Sequence, residues 1–415
     1  MPRAAHEYMR ARKKHILISS SSRSRSVIAG LVRVAAAAAT QPPLPLSAGR
    51  QGVGAAATAL PGVPGALNDL TNSQPLPTNR SVLMNHVERF RAVMNFQPVD
   101  RLPCWEWAMW WDETIRRWHT EGLPVELKFS QVFEIARHCG LDPYQQYWFS
   151  TTDPTIEATQ HHVEGIVANM DDYLRVRPRL FPRHDAAIAG MAAWAERQRQ
   201  GEAVVWCTLE GFFWFPRTLM GFEKLMFAFV DQPELMHQIN SDLLQFNLGL
   251  LDQILKVCVP TFMTVAEDMS YNHGPMISKQ TFEEFIAPYY RRLLPRLRER
   301  EIMPFIDTDG DITLLVPWFE ELGVDGFLPL ERQAGVDGMQ LRRRYPRLRM
   351  IGHFDKMTMN RGEAAMRAEF ERLAPLMKTG GFIPSVDHQT PPGVSLEEYG
   401  VYLRLLKEHM SAVHP

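Results

Sequence analysis

The chain has 415 residues, 45% of them hydrophobic and 22% charged, enough apolar material for a large core. Its net charge of −2 leaves no basic excess to neutralise phosphates, which argues against a nucleic-acid surface. Four cysteines lie far apart (Cys104, Cys139, Cys207, Cys258), with no C-x-x-C pair, so reduced core thiols in a cytoplasmic protein are expected rather than a disulfide framework.

The first 83 residues differ from the rest. They carry ten Lys or Arg against two acids and are rich in Ser, Ala, Gly and Pro. Such a segment cannot bury enough apolar surface to offset its ordering entropy, so disorder is expected. Two readings stay open: a presequence, with organellar import as its consequence, or an upstream extension with Met84 the functional start. Val27 to Ala39 is apolar but is interrupted by Arg33, and it is too short to span a bilayer.

From Met84 onward the pattern is that of a folded domain. His86 to Asn95 predicts a short amphipathic helix, and Leu102 to Ala108 (LPCWEWA) a first strand. Asp142 to Leu180 parses poorly. The alternation in IEATQHHVEGIVA and YLRVRPRL suggests strands outside the main sheet, as in a hairpin over one face. Regularity then sets in. Helices over Asp185 to Gln200, Pro233 to Val257, Ser278 to Arg300, Ile312 to Leu322, Val336 to Arg344 and Ala364 to Lys378 are each followed by a short apolar strand: AVVWCTL, TFMTVA, MPFI, GFLPL, LRMIG and GFIPSV. Leu396 to His409 closes the chain. Strands alternating with helices imply βα units and a parallel sheet. The count reaches about eight, which predicts an α/β fold, the (β/α)8 TIM barrel, over residues 84–415. A doubly wound open sheet is the structural alternative, but no G-x-G-x-x-G follows a strand.

The residues just after these strands carry the chemistry. They are Glu210, Glu267 and Asp268, Asp307 and Asp309, Glu331, His353, and Asp387 and His388. In a barrel such positions converge on one mouth. Helix caps explain single members of this set, as at Asp311 and Asp337. Caps explain the whole set less well, because Glu is a poor cap and His is none. Crowded carboxylates need a counter-charge: a divalent metal, a shared proton or a cationic substrate. Oxygen-rich clusters with one or two His suit zinc, manganese or magnesium. Trp105 and Trp107 share one face of their segment and are expected to line the core and the mouth.

Several segments together resemble the uroporphyrinogen decarboxylase superfamily. They are MNHVERFRAVMNFQPVDRLPCWEW, AEDMSYNHGPMISKQTFEEFIAPYYRRL, DTDGDITLLVPWFEELGVDGFLPLE, MIGHFDK and GGFIPSVDHQTPPGVSLEEY. The resemblance implies the (β/α)8 barrel and one of two chemistries. One branch decarboxylates uroporphyrinogen III without a cofactor. The other moves methyl groups between corrinoid proteins, thiols and small molecules, usually with zinc. His388 stands where the decarboxylases carry a substrate-contacting His before a "TP" step. Their arginine-rich loop would fall on WEWAMWW, which holds no Arg; Arg217 is the best basic candidate elsewhere. Where the methyltransferases carry His-x-Cys and a later Cys, this chain has Asp307-Thr308-Asp309 and Asp387-His388. The resemblance therefore implies a thiolate-free metal set of Asp307, Asp309, Glu331 and His388, with zinc the first candidate. Glu267, Asp268, Asp387 and His388 are the catalytic candidates, and Trp105, Trp107, Glu210, Arg217 and His353 the substrate-binding ones. No D-x-H-x-x-G motif occurs, so a corrinoid, if used, sits on a separate partner protein. The expected function is metal-assisted methyl transfer on a small molecule. The alternatives are cofactor-free decarboxylation of uroporphyrinogen III or a related carboxylate, and a non-catalytic binding barrel.

Overall fold

A computed structural model describes residues 83–153, 156 and 165–412. The leader expected before Met84 lies outside the described residues apart from Leu83, and so does most of IEATQHHVEGIVA.

In chain order the elements are α1 (His86–Met94), α2 (Asp112–Glu121), α3 (Val132–His138), β1 (Tyr144–Trp148), α4 (Met170–Val176), α5 (Asp185–Arg199), β2 (Val204–Glu210), α6 (Trp214–Met220), α7 (Phe222–Asp231) and α8 (Pro233–Ile254). They continue with β3 (Phe262–Ala266), the two-residue strands β4 (Ser270–Tyr271) and β5 (Gly274–Pro275), α9 (Lys279–Phe285), α10 (Ala287–Arg298), β6 (Met303–Asp307) and α11 (Leu315–Glu320). The last are β7 (Gly326–Leu328), α12 (Gly338–Arg344), β8 (Arg349–Phe354), α13 (Glu363–Met377), β9 (Phe382–Val386) and α14 (Leu396–Ser411). Among the described residues no helix is long and apolar enough to cross a membrane.

Among the described residues seven strands form one sheet in the order β1-β2-β3-β6-β7-β8-β9, every pair parallel. The fold is α/β with strands added in chain order, and the sheet curls around an aromatic interior. Trp206 of β2 stacks on Phe262 of β3 at 4.9 Å, and Phe262 meets Phe305 of β6 at 5.4 Å. Trp105, far from β3 in sheet order, still lies 6.2 Å from the Phe262 ring. That contact crosses the hollow of the sheet, so this face is concave. Phe90 of α1 enters the same cluster, 5.0 Å from both Trp105 and Phe262, and plugs the end where the strands begin. Fully burying rings of this size stabilises the fold by roughly 1.5–3 kcal/mol each.

Three sequence expectations need correction. The expected strand Leu102 to Ala108 forms no ladder, although it lies between the two edge strands. On one side the Asp142 amide, just before β1, donates to the Cys104 carbonyl at 2.9 Å. On the other, the Val386 amide of β9 donates to the Glu106 side chain at 3.1 Å instead of to backbone. The Glu106 carboxylate occupies the place where a strand would offer its carbonyl, and Pro103 has no amide to give. YLRVRPRL is not a strand: α4 runs through Tyr173 to Val176, started by the Asn169 side chain, which accepts from the Asp172 amide. The single helix expected over Ser278 to Arg300 is two, α9 and α10. The break falls at Ile286, because Pro288 cannot continue the backbone hydrogen bonding of a helix.

Candidate functional site

Register places the strand ends level with one another. Glu210 pairs with Ala266, Ala266 with Asp307, and Asp307 with Leu328. The inward face is identified by the layer below. There the Gln146 amide donates to the Thr208 hydroxyl at 2.9 Å, and the hydroxyls of Thr208 and Thr264 lie 2.7 Å apart. Two residues further along each strand, Trp148, Glu210 and Ala266 therefore face the hollow as well. Phe305 lies in the aromatic interior, so Asp307 also points inward.

Three acceptors converge beside this row. Asp309, Glu331 and His388 each offer a ligand atom, and these atoms lie within 4.8 Å of one another. His388 Nε2 is 3.5 Å from an Asp309 carboxylate oxygen. Asp309 and Glu331 are partly exposed, and His388 is buried. The Gly310 amide donates to Glu331 at 2.9 Å and fixes one oxygen. Gly310 is required there: a Cβ would lie 2.6 Å from the Tyr271 nitrogen, and φ is +84°. Burial, with the Asp309 charge next in weight, pushes the Glu331 carboxyl up to about 8. Two carboxylates at that spacing resist joint ionisation, and a cation between them would relieve it. One imidazole and two carboxylates are a hard donor set that suits zinc, manganese or a similar divalent ion. The donors present thus fit a metal, without the thiolates of the methyl-transferring branch.

The other expected site residues separate into distinct groups. Asp307 stands at the end of β6 and does not join the three converging acceptors. Asp387 is fully buried. It accepts from the Arg332 amide at 2.9 Å and the Lys356 amide at 3.2 Å, with the Lys356 ammonium 3.5 Å away. It ties together the loops after β7 and β8, beside the three acceptors, and burial raises its carboxyl. Glu267 turns away from the hollow. Its two oxygens accept from the amides of Phe212, Phe213 and Trp214 at 3.0, 2.7 and 3.2 Å and from the Tyr290 hydroxyl at 2.5 Å. It caps the loop entering α6. Burial lifts its carboxyl to about 7 against those four donors. Asp268 adopts φ +42°, a strained conformation for a residue with a Cβ, and its carbonyl accepts from Arg217 at 2.8 Å. Arg217 is 2% exposed; its guanidinium sits over the Trp214 and Phe222 rings and lies in the fields of Asp268 and Asp309.

His353 is enclosed away from the three acceptors. Its Nε2 accepts from the Gly338 amide at 3.0 Å, and its Nδ1 lies 3.0 Å from the Leu330 carbonyl, so the Nδ1-protonated tautomer satisfies both. Burial, then the Arg372 charge, pushes it down to about 4, so the ring is neutral. Trp105 belongs to the aromatic plug at the opposite end. Trp107 lies higher, its indole donating to the Val386 carbonyl at 2.8 Å. Asp337 is a helix cap, accepting from the Gln340 amide at the start of α12.

Sequence reasoning did not single out Glu106, Lys356 or Trp148. Glu106 carried a signal, as the one acid inside an otherwise apolar WEWA run. Lys356 lay within the MIGHFDK motif. Trp148 carried none, because YQQYW does not read as a strand.

Comparison with known proteins agrees with this architecture. A methyltransferase from Methanosarcina mazei superposes with a TM-score of 0.57 at 13% identity, over 78% of this chain and 99% of that one. A β-mannanase from the blue mussel Mytilus edulis gives only 0.34 at 11% identity, over 67% and 83%, too distant to carry an argument. No curated protein matches the chain. The family model for uroporphyrinogen decarboxylase (URO-D) matches residues 173–409, more than half of the chain, from α4 to α14. The chain belongs to the uroporphyrinogen decarboxylase family.

Proposed function

We propose that this protein is a metal-assisted methyltransferase acting on a small molecule, built on a (β/α)8 barrel over residues 84–415. In this barrel the segment 103–108 stands in the place of the eighth strand. The observation that carries the reading is the convergence of Asp309, Glu331 and His388 at the C-terminal ends of the strands. Enzymes with this kind of sheet hold their chemistry there. Asp309, Glu331 and His388 would hold a divalent ion, zinc first among the candidates, which when bound supplies a Lewis acid to the departing group.

The chain's own groups do the rest. Asp387 holds the loops after β7 and β8 in register, and so sets the spacing of Glu331 and His388. Arg217 offsets part of the negative charge of Asp268 and Asp309. Trp148 and Glu210, at the ends of β1 and β2, face the hollow. The methyl acceptor is a strong nucleophile, a reduced corrinoid on a separate protein.

Metal analysis of the purified protein, with zinc dialysis of the wild type, Glu331→Ala and His388→Ala, tests this. About one ion per chain, with affinity falling at least about tenfold in each variant, is expected. No bound divalent ion in the wild type, or unaltered metal content in both variants, sinks it.

Arg217 favours a second reading, because a buried guanidinium near the mouth could hold a substrate carboxylate. That reading is cofactor-free decarboxylation of uroporphyrinogen or a related carboxylate, and it requires turnover that persists in chelator.

A further inference from the structure

Among the three converging acceptors, His388 stands on a segment with no regular structure of its own. β9 ends at Val386, and residues 387 to 389 are neither helix nor strand, yet all are buried. What holds this segment comes from residues 107 to 118. The Trp107 indole donates to the Val386 carbonyl at 2.8 Å, and the Trp107 amide donates to the Ser385 hydroxyl at 3.1 Å. The Thr114 hydroxyl of α2 donates to the Thr390 carbonyl at 2.9 Å. His388 therefore lies midway, two residues from each of the anchored carbonyls of Val386 and Thr390. α2 continues the clamp further along. The Arg117 guanidinium donates to the Pro392 carbonyl at 2.9 Å, and the Trp118 indole to the Val394 carbonyl at 3.0 Å. Trp107 and Thr114 are both buried, so their bonds do not compete with bulk water.

Closing the sheet accounts for only part of this pattern. A strand in the place of residues 103–108 would pair with β9, and β9 ends at Val386. The bonds to Thr390, Pro392 and Val394 lie beyond that end, and their donors are side chains of α2. A ligand to a metal must be held to within about 0.5 Å of its productive position, which an irregular segment achieves only when other residues lock it. We infer that Trp107 and Thr114 are positioning residues for His388. They pin the backbone on either side of it and so set the distance of its imidazole from Asp309 and Glu331. This rests on the metal reading of those three acceptors. Neither Trp107 nor Thr114 belongs to the converging set, so each acts on the ion through His388.

The test measures the zinc affinity of the full-length protein by competition with a chromophoric chelator. Thr114→Val removes the hydroxyl at nearly constant volume, and Trp107→Phe removes the indole donor but leaves a ring. Each is expected to weaken zinc binding by on the order of tenfold, the scale for residues that orient metal ligands. Thr114→Ser keeps the hydroxyl and should bind zinc as the wild type does. The same substitutions are then made in the His388→Ala protein. There Thr114→Val and Trp107→Phe should change zinc affinity by less than about twofold, because the ligand that they place is gone. A general loosening of the fold does not distinguish the two backgrounds. Unchanged zinc affinity in Thr114→Val overturns the inference, and so does a loss of equal size in the His388→Ala protein. If Trp107→Phe does not fold, Thr114→Val and Thr114→Ser decide the matter. A wild type that binds no zinc defeats the metal reading and takes the inference with it. A wild type that binds zinc, with Thr114→Val unaffected, defeats the inference alone.

Discussion

Glu106 offers a prediction whose size follows from its surroundings. The carboxyl is wholly buried between the segment 103–108, β9 and α14. It accepts from the Ser385 hydroxyl at 2.7 Å, the Val386 amide at 3.1 Å and the Tyr399 hydroxyl at 3.2 Å. Burial dominates over these donors and lifts it from the ordinary 4.5 to about 7. A group raised in the folded state binds its proton more tightly there than in the unfolded chain. Its contribution to stability is therefore fully present below about pH 4.5 and is lost as the pH rises through about 7. A rise of that size is worth about 3 kcal/mol. Glu106→Gln removes the titration but keeps the geometry. The amide oxygen can accept from Val386 and Ser385, and the amide nitrogen can donate to the Tyr399 oxygen. The variant should match the wild type below about pH 4 and exceed it by about 3 kcal/mol near pH 8. Urea unfolding of both proteins, followed by tryptophan fluorescence across that range, gives the difference directly, and other buried acids cancel in it. A difference that does not change with pH would show that Glu106 is ionised throughout, and the linkage argument would fail.

Glu267→Gln should behave in the opposite way. An amide nitrogen in place of either oxygen must face at least one backbone donor, so urea unfolding should show a loss of about 2–3 kcal/mol with zinc content unchanged. Lost zinc with unchanged stability would instead place Glu267 in the metal site. Phe262→Ala removes the ring on which Trp206, Trp105 and Phe90 meet and should cost roughly 3–5 kcal/mol by the same measurement. A loss under about 1 kcal/mol would mean that the aromatic interior is not packed as described.

What the sequence revealed and what it hid both follow from the range of the interactions involved. The units from Asp185 onward were legible because each strand is a short apolar run and each helix carries its own periodicity, so local pattern and final structure agree. The strand-end rule then located Asp309, Glu331 and His388 without knowledge of their distances. It could not say which strand-end acids face the hollow. Glu267 sits at such an end, but its donors are backbone amides more than fifty residues earlier, and no local signal announces them. His353 follows the same rule, yet its partners lie on α12, α13 and the loop after β7. β1 failed for a related reason. Its middle residue, Gln146, is polar because it bonds across to Thr208, so YQQYW lacks the apolar signature of a buried strand. The segment LPCWEWA erred the other way: it has the signature, and one side chain, Glu106, takes over the hydrogen bond that pairing would have used. In each case the misleading residue is a polar group whose partner is distant in sequence. Glu210 is the instructive exception, because β2 was read correctly and alternation from Thr208 puts the Glu210 side chain on the inward face. Its local sequence, WCTLEG, would have served equally well for a cap like Glu267.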